Sequence, residues 1–203
     1  MKLIYSPTSP YARKVRIVVL EKNLSARIDL TTANPLGADA ALVANANPLG
    51  KVPALVLDDE TVLYDSPVIC EYLDGLSDAP RLFPQDGPAR WSALRRQALG
   101  DGLMDAAFSL VMEGRRPEAM RAPDWIARWE TAIARGARAA EADVQRGETG
   151  FDIGAIALVA ALGYIDFRLA RLDWRDGNDA LARWFDACGD RASVKHTAPP
   201  AGA

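Results

Sequence analysis

Histidine is almost absent from this chain of 203 residues: the only one, His196, stands in a polar tail ending APPAGA. The body of the protein therefore has no imidazole for a Ser-His-Asp relay and no material for a His-rich metal site. Cysteine is nearly as scarce. Cys70 and Cys188 lie far apart, each inside an amphipathic helical pattern. No disulfide framework or paired-cysteine metal site follows from them, and both are expected as buried packing residues. There is no phosphate-cradling glycine-lysine loop and no GxGxxG after a strand, which excludes the commonest nucleotide-binding motifs. No apolar run is long enough to span a bilayer, and the opening MKLIYS passes straight into a polar, proline-containing segment without the apolar core of a signal peptide. A formal charge of -3 with 25% charged residues gives no reason to expect nucleic acid as a partner. A cytoplasmic protein with no metal, membrane or nucleic-acid partner is expected.

What is present is an ordinary globular composition, 49% apolar, in a chain long enough for one large domain or two small ones. Lys2 to Tyr5 suits a short first strand. Ser9 precedes Pro10 and a segment with Val15, Val18, Val19 and Lys22 on a helical period, so Ser9 is the expected N-cap of the first helix. Ala26 to Leu30 reads as a second strand, residues 31 to 37 as a polar loop, and Ala38 to Asn45 as a short helix. Arg13, Lys14 and Arg16 form a basic run whose expected place is a solvated face. Residues 76 to 90 gather prolines and glycines between stronger patterns and mark a boundary. Beyond it strand signals vanish. Trp91 to Arg115 and Asp124 to Gln145 read as long amphipathic helices, and Asp179 to Asp190 as a further helix before a loose tail. Thr149 to Asp152 resembles a capping box, and the run IGAIALVAALGYIDFRLA after it is apolar nearly all round, so it belongs at the centre of a bundle.

The most informative stretch is Asn47 to Ser66, NPLGKVPALVLDDETVLYDS. Two short apolar runs, Ala54 to Leu57 and Thr61 to Tyr64, flank the acidic turn Asp58-Asp59-Glu60 and predict a β-hairpin whose first strand opens with Pro53. Proline cannot donate to a ladder, so the chain just before it keeps free backbone groups, which suits pairing with an extended peptide. Asp65-Ser66-Pro67 then begins a helix, where unpaired N–H groups and the helix dipole favour an anion. A small extended peptide with a carboxylate fits both features.

On NPLGKVPAL, the hairpin and YDSPVICEYL, the chain resembles the glutathione S-transferase family, in its bacterial members with a serine-type glutathione site. The resemblance implies an α/β plus all-α architecture: a thioredoxin-like βαβαββα domain over residues 1–77, a linker at 78–87 and an all-helical substrate domain over 88–203. It implies a cis Val52–Pro53 bond, and Asp65 and Ser66 on the γ-glutamyl end of glutathione. Val52 would pair its main chain with the cysteinyl unit, and Lys51 would face the glycyl carboxylate, unless it is only a solvated loop lysine.

Ser9-Pro10-Tyr11-Ala12 stands where thioredoxin-fold oxidoreductases carry their cysteine pair, and neither cysteine position can form a disulfide here. Dithiol redox chemistry is thereby excluded. A hydroxyl at a helix start suits a thiolate brought in by the ligand, and the resemblance makes Ser9 the donor to the glutathione sulfur. Its plainer role is to cap the helix. Tyr5 at the end of the first strand and Tyr11 are rival hydroxyls, and Ser9 is preferred for its place directly before the proline. Met104, Phe108 and Met112 form an apolar stripe at helical spacing that serves either core packing or, with Tyr11, a candidate electrophile pocket in the cleft between domains. Asp101 or Asp105 is a candidate to reach glutathione across a dimer interface. The function implied is a homodimeric, detoxifying transferase that joins glutathione, a co-substrate, to a small apolar electrophile. The alternatives are a non-catalytic glutathione-binding regulator or carrier, and a glutathione-dependent reductase or dehalogenase, which would want a cysteine where Ser9 stands.

Overall fold

In the computed structural model, which describes residues 1–200, the first strand, β1 (Lys2–Tyr5), buries Leu3 and Ile4 on opposite faces, so both sides of the sheet are covered there. It lies between β2 (Asp29–Thr32), to which it is parallel, and β3 (Ala54–Val56), to which it is antiparallel. The edge beyond β3 is β4 (Val62–Leu63), antiparallel to it, giving the sheet order β2-β1-β3-β4. With α1 (Pro10–Glu21), α2 (Ala40–Ala46) and α3 (Ser66–Asp74) between and after the strands, the chain follows the expected βαβαββα order. On one side of the sheet Ile4, Ala33, Val43, Val52 and Ala54 form a core cluster. Helices α1 and α3 pack together, burying Val15, Val18, Ile69 and Leu73.

Three local expectations are corrected in this unit. The second strand does not run from Ala26 to Leu30: Ser25–Arg27 is a 3-10 turn, and the strand begins at Asp29. Its position is set by pairing, since the Asp29 N–H donates to the Met1 carbonyl at 2.9 Å and Lys2 to Tyr5 align with Asp29 to Thr32. Non-local pairing outweighs the local propensity of the preceding residues. The basic run is not a solvated face either, because Lys14 is fully buried and Arg13 only 7% exposed. The tail explains part of this. Instead of being loose, it forms α8 (Ala192–His196), which packs on α1 with Val194 and Thr197 buried. Arg13 and Arg16, one turn apart, donate to the carbonyls of Val194 and His196, each at 3.3 Å.

The end of α3 is tied to the end of α1 by a fully buried ion pair. Lys22 Nζ stands 3.0 Å from Asp74 Oδ1 and also donates to the carbonyls of Ala79 at 2.7 Å and Pro80 at 3.2 Å. The Asp74 carboxylate accepts from the N–H groups of Leu82 at 2.9 Å and Phe83 at 3.2 Å. Four polar contacts thus hold the segment after α3 to the ion pair.

Met1 to Phe83 and Ala192 to Pro200 form this first compact unit; Pro84 to Arg191 form a second, whose regular elements are all helices. It contains α4 (Gly87–Gly114), α5 (Pro123–Gln145), α6 (Ile153–Arg168) and α7 (Asp179–Gly189). Every residue of α6 from Ile153 to Leu162 is buried, which is why its sequence is apolar all round. Helix α4 packs so closely on it that a Cβ added at Gly100 would stand 2.6 Å from the backbone carbon of Ala157. The start of α6 differs from the expected capping box. Asp152 is itself the N-cap: one carboxylate oxygen accepts from the Ala155 N–H at 3.1 Å, and the other takes the buried Arg96 guanidinium at 2.6 Å. A carboxylate has lone pairs for both tasks, and Thr149 lies too early in the chain to take either.

Candidate functional site

The antiparallel registers place three segments at one end of the sheet. Ile4 pairs with Ala54 and Leu55 with Leu63, so the chain leaving β1, the chain entering β3 and the chain leaving β4 all lie beyond the same end. Those segments are Ser6 to Ser9, Lys51 to Pro53, and Tyr64 to Ser66. Two helices, α1 and α3, begin there, and each directs the positive end of its dipole toward that edge.

Ser9 is the N-cap of α1, with extended backbone (φ −79°, ψ 123°) and Pro10 in the first turn. Its Oγ accepts from the Ala12 N–H at 3.2 Å. The hydroxyl proton has no acceptor among the described residues, so capping leaves the donor capacity of Ser9 unused. The loop before it is held by the Ser9 N–H on the Ser6 carbonyl at 3.1 Å.

The approach to β3 is organised by Asn47, a residue that sequence reasoning did not single out. It is 1% exposed; its Nδ2 donates to the Lys51 carbonyl at 2.9 Å and its Oδ1 accepts from the Leu49 N–H at 3.0 Å. Gly50 completes this turn at φ +63°, a conformation that glycine adopts without penalty. The signal was present as Asn-Pro-x-Gly, a turn in which the Asn side chain bonds its own backbone two residues on. The turn leaves the Lys51 side chain exposed, and the Val52–Pro53 bond is cis, as expected from the resemblance. Neither the N–H nor the C=O of Val52 has a backbone partner among the described residues.

At the start of α3, Asp65 is exposed and makes no side-chain cap, while Ser66 is 2% exposed. The Tyr64–Asp65 peptide is also cis. With no side chain on its first turn, α3 presents N–H groups suited to a carboxylate. Lys51, Val52, Pro53, Asp65 and Ser66 are therefore assembled at the same end of the sheet as Ser9.

The other candidates are placed differently. Tyr5 is half-buried, with the Arg16 guanidinium 5.0 Å from the centre of its ring. Tyr11, half-buried, is in the first turn of α1. On α4, Met104 is fully buried, Met112 half-buried and Phe108 39% exposed, so the stripe is divided between core and surface. Asp101 is half-buried and Asp105 exposed on the same helix. Cys70 and Cys188 are buried and form no disulfide among the described residues. Burial pushes the Cys188 thiol up to about 11, only partly countered by Arg191, so it is neutral near pH 7. Among the described residues no group of three or more His, Cys, Asp or Glu side chains is arranged to hold a metal, and no helix is long and apolar enough to cross a membrane.

A mixed four-stranded sheet of this order, with a cis-proline entering β3 and two helix N-termini at the same end, followed by a helical unit, defines a thioredoxin-like domain joined to an all-α domain. Comparison with known proteins makes this specific. The family models for the glutathione S-transferase N-terminal and C-terminal domains match residues 8–76 and 123–187. An uncharacterized GST-like protein of Escherichia coli K12, YibF, is 34% identical over 203 residues, covering 98% of this chain and 99% of that one. A glutathione S-transferase of Methylobacillus flagellatus solved with glutathione bound is 44% identical, with a TM-score of 0.89 and coverage of 98% and 99%. A glutathione transferase family member of Pseudomonas fluorescens Pf-5, also with bound glutathione, is 40% identical, with a TM-score of 0.93 and 98% coverage of both chains. The chain belongs to the glutathione S-transferase family.

Proposed function

We propose that this protein is a cytoplasmic glutathione transferase that joins the sulfur of glutathione to small apolar electrophiles, a detoxifying reaction. The observation that carries the reading is the Ser9 hydroxyl: it caps α1 through an oxygen lone pair and keeps its proton to donate. Relatives solved with glutathione bound support the ligand. In this reading the unpaired main chain of Val52 takes the cysteinyl unit as an added strand, and Lys51 faces the glycyl carboxylate. Asp65 and Ser66, at the N-terminus of α3, take the γ-glutamyl end, the carboxylate of the ligand lying against the helix N–H groups and its amine against Asp65.

The thiol proton leaves to solvent, the Ser9 O–H and the α1 dipole favour the resulting thiolate, and the sulfur then forms a bond to the electrophilic carbon while the leaving group departs with its electron pair. The protein's own thiols take no part: Ser9 occupies the cysteine position, and Cys188 is buried and protonated.

Glutathione at 100 times its dissociation constant should raise stability by about 2.7 kcal/mol, read as an upward shift in melting temperature. No shift at millimolar glutathione would refute the site. A shift without turnover of any aromatic halide would identify a glutathione carrier instead.

The same reading includes a symmetric homodimer, as the resemblance implies. Sedimentation at micromolar concentration should give a species of twice the 21.9 kDa chain. A species of single-chain mass alone would overturn the dimer.

A further inference from the structure

Helix α5 separates its charges by face. Its acids are Asp124, Glu130, Glu141 and Asp143, and its arginines are Arg128, Arg135 and Arg138. Beyond the first turn every acid is committed to another part of the helical unit. Glu130 is paired with Arg171 at 2.6 Å. The buried Glu141 carboxylate accepts from the Leu181 N–H at 2.6 Å and the Ala180 N–H at 3.2 Å, at the start of α7. Asp143, 1% exposed, takes the Arg95 guanidinium of α4 through two bonds of 3.0 Å. Asp124 is exposed in the first turn, where the helix dipole favours an acid.

The arginines are left over. Arg128, Arg135 and Arg138 are all exposed, and none has a carboxylate partner among the described residues. At 3.6 residues per turn they fall within a sector of about 80°, on the side of α5 opposite the buried Ile133, Ala137 and Ala140. Arg128 stands over the Trp125 ring, 5.7 Å from its centre. Trp125 is itself 54% exposed and leans on the half-buried Trp129, with ring centres 5.6 Å apart. A chain of net charge -3 therefore carries one helix face whose positive charge is not neutralised from within.

The spacing selects the partner. Arg128 and Arg135 are two turns apart, about 10.5 Å along the axis, and Arg138 follows about 4.5 Å further on. Trp125, the half-buried Ala132 and the exposed Ala139 repeat at the same seven-residue step beside them. A second helix laid along α5 has the same repeat. Its carboxylates at i and i+7 meet Arg128 and Arg135 together, while its apolar side chains pass over the two alanines and against Trp125. Guanidinium forks match carboxylates in geometry and charge, and tryptophan and arginine are the side chains that carry most of the energy of such contacts. A nucleic-acid strand fits less well, because in a duplex each strand brings a charge about every 3.4 Å along the axis against three arginines spread over about 15 Å.

We propose that the outward face of α5 docks an acidic amphipathic helix of another protein, with its carboxylates on Arg128, Arg135 and Arg138 and its apolar edge on Trp125. The surface rests on α5 alone and is independent of the glutathione reading. The probe is a fluorescein-labelled peptide of three Leu-Glu-Ala-Ala-Leu-Glu-Ala repeats, titrated with the full chain and followed by anisotropy. The same peptide with Gln or Lys in place of Glu, and a labelled oligouridylate of similar length, are the controls. The Glu peptide should bind at least about tenfold more tightly than the Gln peptide, and its affinity should fall as salt is raised. The double variant Arg128→Gln, Arg135→Gln should weaken the Glu peptide at least about tenfold and leave the Gln peptide unchanged. Arg128→Glu with Arg135→Glu is a second variant should the first fold poorly, and it should transfer preference to the Lys peptide. Equal affinity for the Glu and Gln peptides, no binding of the Glu peptide, or binding that both variants leave intact would each overturn the proposal. Tighter binding of the oligouridylate would make the face a nucleic-acid surface, and a fall in sedimenting mass in both variants would make it a contact between copies of this chain; either result also overturns it.

Discussion

Ser9→Ala is expected to lower turnover with a generic aromatic halide by about 100-fold or more while leaving the glutathione dissociation constant nearly unchanged. A thiol of ordinary pKa, about 8.5, is only a few per cent ionised at pH 7, so any donor that favours the thiolate raises the concentration of the nucleophile. The Ser9 hydroxyl is free to be that donor because its contact with the Ala12 N–H uses a lone pair and not its proton. It donates most strongly once the sulfur is charged. The proposed contacts of Val52, Asp65 and Ser66 hold the tripeptide whether or not the sulfur is ionised, so binding and activation separate. Losing the cap also removes about 1 kcal/mol of helix stability, which a parallel melting curve resolves from the catalytic effect. Tyr5→Phe provides the contrast. Should Tyr5→Phe abolish activity while Ser9→Ala leaves turnover and the apparent thiol pKa as they were, the donor is the tyrosine at the end of β1. Should neither substitution matter in an active protein, the α1 dipole alone activates the sulfur.

Asp74→Ala is expected to destabilise the fold by about 3 to 5 kcal/mol, the usual cost of removing one partner from a buried ion pair. The exposure of the two side chains, 0% for Lys22 and 2% for Asp74, decides this magnitude, because exposed pairs contribute about 1 kcal/mol or less. The substitution leaves the Lys22 ammonium buried beside two carbonyls and no carboxylate, and it strips the acceptor from the Leu82 and Phe83 N–H groups. In a chain of this length such a loss lowers the melting temperature on the order of 10 °C. Replacing both partners by apolar residues, Lys22→Met with Asp74→Leu, should recover part of the stability, because no charge is then left buried. A denaturant midpoint for Asp74→Ala equal to that of the unsubstituted protein would show that the pair contributes nothing.

The fold order and much of the candidate site are legible in the residues because their signals are local. Ser9 before Pro10 declares a helix start whatever surrounds it, the runs on either side of Asp58 to Glu60 declare a hairpin, and an unbroken apolar helix can only be a core helix. Errors arose where the deciding partner lies far along the chain. Asp29 is recruited into β2 by β1. Arg13 and Arg16 are drawn to the carbonyls of α8, about 180 residues away in sequence. Asp152 becomes an N-cap in concert with Arg96 of another helix.

By itself, then, the sequence determined the kinds of chemistry open to this protein: no relay through histidine, no dithiol, and a hydroxyl at a helix start near a Val-Pro strand entry. Composition and short-range spacing are sufficient for this, since they decide which functional groups exist and which lie within one turn of each other. Only the tertiary structure decided what those groups face. The antiparallel registers gathered Ser9, Val52 and Asp65 at one end of the sheet, the return of α8 buried a basic run that reads as solvated, and the pairing of Glu130, Glu141 and Asp143 with other segments left the arginines of α5 on its outward face. Each of these depends on contacts between residues distant in the chain, whose closure entropy is offset only when the whole core forms.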